Sequence, residues 1–189
     1  MRLVRSLFAG VLFLGFTPLS AQPIDASATK VSATFKQLGV PVQGVFRQIT
    51  GDVDFDPQRA NKAKALLEID VASFDICDKE YNAEVAKKDS FDAKRYAKAS
   101  FTLSSVAPVS AGQYKAAGAL TIKGKTANVQ FPVDIKMESG KPVFEGKVAV
   151  NRLFFNIGEG EWKDTALVAD EVMIQFKVVG TAVPAGTKK

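Results

Sequence analysis

Asn128-Val129-Gln130-Phe131-Pro132-Val133-Asp134-Ile135-Lys136-Met137 puts a polar or non-donating residue at every even position and a large apolar one at every odd position. A period of two gathers all five apolar side chains on one face of an extended strand, whereas a helix needs its apolar stripe every three or four residues. The stretch is therefore read as a half-buried β-strand. The same alternation recurs on both sides of it. Upstream it carries Val31, Ala33 and Phe35; then Ala63, Ala65, Leu67, Ile69 and Val71, with Leu66 the one interruption. Phe101, Leu103 and Ser105 form one face of the next run, followed by Leu120 with Ile122. Downstream it carries Phe144, Val148 and Val150, then Val172, Ile174, Phe176 and Val178. Residues Val42 to Phe55 make a further strand long enough to bend, with Gly44 or Gly51 as the expected hinge.

Turn-forming pairs punctuate these runs: Asp56-Pro57, Ala111-Gly112, Lys123-Gly124 and Ser139-Gly140. Short connections between successive strands favour antiparallel neighbours. About eight strands of this kind predict an all-β, antiparallel eight-stranded β-barrel, the size at which a barrel either fills itself or holds one small ligand. The exception is a short helical insertion around residues 78–95. Asp78 is placed to cap it, Tyr81 and Val85 share a face, and Phe91 and Tyr96 are expected to pin it down.

The first residues have the grammar of a secretory leader. Arg2 and Arg5 precede the apolar run Leu7 to Phe16, and small residues follow to Ala21. The apolar run is too short to span a membrane. The expected organisation is a cleaved leader at 1–21, one domain at 22–183 and a frayed tail at 184–189, exported to a periplasm without a stable membrane anchor. The net charge of +5 is spread among interspersed acids, so no nucleic-acid surface is expected.

The composition excludes much chemistry. There is no histidine and one cysteine, Cys77, which removes Ser-His-Asp and Cys-His nucleophiles, the common zinc sets and any internal disulfide. Gly118 to Thr126 imitates a phosphate-binding loop, but five residues separate its glycines where four are needed, and a strand rather than a helix follows. Asp52, Asp54 and Asp56 imitate a calcium loop, but Pro57 and Ala63 stand where Gly and Glu belong. Glu159, Glu161, Asp164, Asp170 and Glu171 could in principle supply a glycosidase pair, against the plainer reading of a solvated loop. Trp162, the only tryptophan, lies in that loop and is expected to cap one end of the barrel.

Several motifs in fixed order resemble the YceI-like family over about Ala28 to Val183. They include Val42, Gly44 and Phe46; Gly51 to Asp56; Ala72-Ser73-Phe74-Asp75; Lys88 to Asp92; and Ala99-Ser100-Phe101-Thr102. Most specific are Gly118 to Thr126 leading to Phe131-Pro132-Val133, and Asn151-Arg152 with Phe154 to Gly158. The resemblance implies a lipocalin-like barrel whose lumen holds an amphiphile with an isoprenoid chain, a polyprenyl lipid or a quinone. Family members often carry a histidine near the first hairpin and a threonine after the Ser-Phe-Asp segment, where this chain has Val40 or Pro41 and Ile76.

The resulting expectation is a non-enzymatic periplasmic carrier that needs no cofactor and is compatible with a homodimer. Its lumen candidates are Phe101, Leu103, Leu120, Ile122, Phe131, Val133, Phe144, Val148, Val150, Ile174 and Phe176. Two rivals stand beside it: a protein-interaction module with a packed core, and an enzyme using the carboxylates of 159–171.

Overall fold

The alternating runs become one curled antiparallel sheet in a computed structural model of the chain, which describes residues 21–181. The expected leader up to residue 20 and the expected tail from 184 lie outside the described residues. In chain order the strands are β1 (Gln22–Pro23), β2 (Lys30–Gln37), β3 (Val40–Phe46), β4 (Ile49–Asp54), β5 (Lys64–Asp70) and β6 (Phe74–Asp75). After α1 (Lys79–Val85), the one α-helix among the described residues, come β7 (Lys98–Ser110), β8 (Gln113–Ile122), β9 (Lys125–Glu138), β10 (Lys141–Asn151) and β11 (Glu171–Val179). Their order in the sheet is β1-β4-β5-β7-β8-β9-β10-β11-β2-β3-β6.

The sheet has eleven strands where eight were expected. The excess comes from its seam. β3 and β4 are two arms of one long strand, broken at Arg47 and Gln48 rather than at Gly44 or Gly51. The break is held by Ser73, whose carbonyl accepts from the Arg47 N–H at 3.1 Å and whose hydroxyl accepts from the Gln48 N–H at 3.1 Å. Gly44 serves packing instead. A Cβ there would lie 2.1 Å from the Phe74 ring, so the bare backbone lets that ring cross β3. β6 pairs with β3, and β1 pairs with β4. Ile24, just past β1, then bridges Gly180, just past β11, which ties the β1 border back onto the sheet, while the bent β3–β4 strand joins its two sides into a barrel. Closure leaves few free strand edges to recruit other chains.

One face position is also corrected. Ser105 points out, and Val106, 6% exposed, points in. The pairing of β7 with β8 slips between Leu103 and Ser105, a bulge at Ser104 that shifts the alternation by one residue.

Two apolar clusters fill opposite ends of the barrel. At the base, Phe55 stacks edge-on against Tyr114 and Phe144, with ring centroids 5.9 and 5.4 Å apart. The 3-10 turn Pro57–Lys62 closes this end with Ala60 buried, and Asp56 caps it by accepting from the Gln58 N–H at 2.9 Å. At the other end, the rim, Val71, Ala99, Leu120, Ile122, Val150 and Phe155 pack together beneath the α1 segment and the 152–170 loop. No helix among the described residues is long and apolar enough to cross a membrane.

Candidate functional site: the barrel lumen and its rim

Between these clusters the inward side chains leave a cavity of about 300 Å³. That is at the lower end of the range in which proteins hold small molecules, roughly 300–1,000 Å³. All eleven lumen candidates line it: Phe101 and Leu103 from β7; Leu120 and Ile122 from β8; Phe131 and Val133 from β9; Phe144, Val148 and Val150 from β10; Ile174 and Phe176 from β11. The arrangement follows from the pleat, because alternate residues of neighbouring strands all face one side. Lining residues on β9 run from Val129 to Ile135, and at ~3.3 Å per residue this gives a lining roughly 20 Å long measured along the tilted strand. An apolar lining of this length suits a chain rather than a compact solute.

Sequence reasoning missed part of the wall. Val31, Ala33 and Phe35 of β2 belong to it, and their alternation was the available signal. Phe46, Ser90 and Phe91 also reach the cavity, but nothing local announces them. Phe46, Phe74 and Phe91 form a triad of aromatic contacts with centroids 5.1 to 6.2 Å apart, which ties the insertion to β3.

The insertion is less helical than its span suggested. Only Lys79–Val85 forms α-helix, and the rest consists of turns. Asp78 caps the helix as expected, accepting from the Tyr81 N–H at 2.9 Å. Tyr81 stacks on Phe35 with centroids 6.4 Å apart and donates its hydroxyl to the Gln37 side chain at 3.2 Å. Burial raises its pKa, so the phenol stays neutral and remains a donor. Tyr81, Glu84, Val85, Asp89 and Ser90 line the cavity from this side, and Trp162 from the facing loop.

Two cations organise the rim. Arg152, 4% exposed, donates Nε to the Ala169 carbonyl at 3.0 Å and Nη2 to that of Val168 at 2.6 Å. Its Nη1 serves Ile157 at 2.9 Å and Gly158 at 3.3 Å. Burial pulls its pKa down while the nearby Asp170 opposes the shift. Lys123 reaches from the β8–β9 turn, donating to the Lys88 carbonyl at 2.8 Å, the Asn156 carbonyl at 2.7 Å and Glu159 at 3.0 Å. It thereby joins the insertion to the 152–170 loop. The hydrogen bond from Lys123 holds the Glu159 carboxyl below its ordinary range.

The acidic loop is largely committed to its own architecture. Glu159 is held by Lys123, Asp164 accepts from the Ala166 N–H at 2.8 Å, and Asp170 from the Leu153 N–H at 2.9 Å. None of its five carboxylates lines the cavity. Among the described residues no group of three or more acidic, cysteine or histidine side chains is arranged to hold a metal ion.

The family model described as YceI-like domain matches residues 23–180. Among solved structures, the chain is similar to Burkholderia cenocepacia BcnA at 47% identity and a TM-score of 0.81, over 84% of this chain and 99% of that one. It is similar in fold to a Campylobacter jejuni YceI protein at 22% identity and a TM-score of 0.68, covering 76% of this chain and 86% of that one. It is also similar in fold to a polyisoprenoid binding domain from Saccharophagus degradans, implicated in plant cell wall breakdown. There the identity is 16% and the TM-score 0.68, over 86% of this chain and 99% of that one. No curated protein matches the chain.

Proposed function

The chain belongs to the YceI-like domain family, and from that premise we propose that it is a non-enzymatic carrier or scavenger of an isoprenoid-chain lipid or quinone in the periplasm. The observation that carries this reading is the tunnel, lined on every side by alternating apolar residues and closed at its base by Phe55. Each methylene moved from water into such a wall contributes about 0.8 kcal/mol, so a long tail supplies the affinity and a few polar contacts at the rim suffice for orientation. The eleven inward residues named from the alternation are, in this reading, the tail's contacts. The likeness in fold to the Saccharophagus polyisoprenoid binding domain supports the same ligand class. The leader-like residues 1–21 support export.

Mass spectrometry of solvent extracts tests the proposal, using protein secreted to a bacterial periplasm and purified without detergent. A substoichiometric polyprenyl or quinone species is expected. Repeated extracts without any lipid would overturn the carrier reading.

A further inference from the structure

Four side chains that line the cavity carry formal charge: Lys64, Glu84, Asp89 and Arg152. Lys64 begins β5 at the base, far from the rim. Among the described residues, the only cation lining the cavity at the rim is therefore Arg152, and four of its five N–H groups are already given to backbone carbonyls. Its charge is also balanced by the neighbouring Asp170. Lys123 is in the same condition, its side chain 7% exposed and its ammonium divided among two carbonyls and Glu159. Lys87 is paired with Glu84, and Lys125 donates to the Asn156 side chain at 2.9 Å. Lys88 and Lys163 are exposed but do not line the cavity.

Against these stands the carboxylate of Asp89 on the lining itself, while Glu84, also on the lining, is balanced by Lys87. Residues 159–171 across the rim add Glu159, Glu161, Asp164, Asp170 and Glu171, with Lys163 the one basic residue of that stretch. A phosphate monoester brings a charge of about −1.5 to −2 at neutral pH and calls for several strong donors. Here it would meet the Asp89 carboxylate, the Lys87–Glu84 pair and cations whose donors are spent. The neutral groups at the rim suit an uncharged head instead: Ser90 and Trp162 carry donors for a hydroxyl, phenol or quinone oxygen, and the Tyr81 oxygen, its proton given to Gln37, can still accept from a hydroxyl.

Resting on the carrier reading, we propose that the rim makes this chain selective for uncharged isoprenoid head groups and excludes phosphorylated ones bearing the same tail. The tunnel sets the affinity for the tail, and the rim decides which tails are admitted.

Calorimetric titration of the full domain with geranylgeraniol and with geranylgeranyl monophosphate isolates the head group at constant tail. The monophosphate is expected to bind at least about tenfold more weakly, equivalent to about 1.4 kcal/mol. The gap should narrow as ionic strength rises from ~0.01 to ~1 M, where the screening length falls from about 30 to about 3 Å. It should narrow likewise in Glu84→Gln/Asp89→Asn, with thermal unfolding confirming that the variant is folded. Equal or tighter binding of the monophosphate by the unaltered protein would overturn the inference and leave the carrier reading standing. A gap indifferent to both salt and the double variant would overturn its electrostatic basis. Failure of both probes to bind would instead strike the carrier reading.

Discussion

A guanidinium at position 152 lies nearly sealed from water, with backbone carbonyls of residues 157, 158, 168 and 169 taking its protons. Those carbonyls belong to an irregular loop that has no strand or helix partner for them, so Arg152 does for the loop what a ladder does for a strand. Gly158 shows how closely the loop is drawn in: its φ is +78°, and a Cβ there would stand 2.1 Å from Nη1. Arg152→Met keeps most of the stem's packing but strands the carbonyls, each worth about 1–3 kcal/mol when buried without a partner. Partial rehydration limits the total, and a loss of about 3 kcal/mol is expected in unfolding by denaturant. Retention of the wild-type midpoint would show that the loop satisfies itself by other means. Asn151-Arg152 stood among the motifs that carry the family resemblance, but a charged residue in a sequence reads as surface, so its burial at the centre of the rim was not legible there.

Strand existence was legible because alternation is a local property. Each run from Val31 to Val178 became a strand with its apolar face inward, except that Met137, at the end of β9 beyond the lumen, is 50% exposed. What alternation cannot show is a change of parity inside a strand, and β7 contains one. Phe101 and Leu103 face in, the bulge at Ser104 adds a residue, and Val106 rather than Ser105 returns to the lumen opposite Ala116. The bend of β3 into β4 was misplaced for a similar reason, since Ser73 fixes it from 25 residues away while the two glycines were only local suspects. The bulge itself can be tested by deletion. Removing Ser104 restores plain alternation and keeps Leu103 and Val106 inward, so stability should change little. Removing Thr102 instead turns Leu103 outward and Ser104 inward. It should cost roughly 1.5–3 kcal/mol, the worth of burying one leucine. Paired thermal or urea melts of the two deletions read this directly, and equal losses would mean that the slip in pairing does not set the face.

The whole barrel poses the question whether its interior is a solid core or a tunnel, because both use the same alternating apolar residues. Periodicity could not separate them; the cavity depends on how side chains from strands all around the barrel meet, and no single strand encodes that. Ile122 offers a discriminating position. It lies on the cavity wall near the rim, while its neighbour Thr121 faces out and shares a hydrogen bond with Thr126 at 2.8 Å. Ile122→Phe adds volume inside, and Thr121→Phe adds it outside. In a solid core the added ring forces strain of roughly 1–3 kcal/mol and lowers the denaturant midpoint. In a tunnel the ring has space, so the midpoint should hold while co-purifying lipid falls. Thr121→Phe should leave lipid content as it was, because its side chain stays outside the wall. Strong destabilisation by Ile122→Phe, with lipid retained per folded molecule, would mean that the wall at Ile122 has no room to yield and that the tail runs elsewhere.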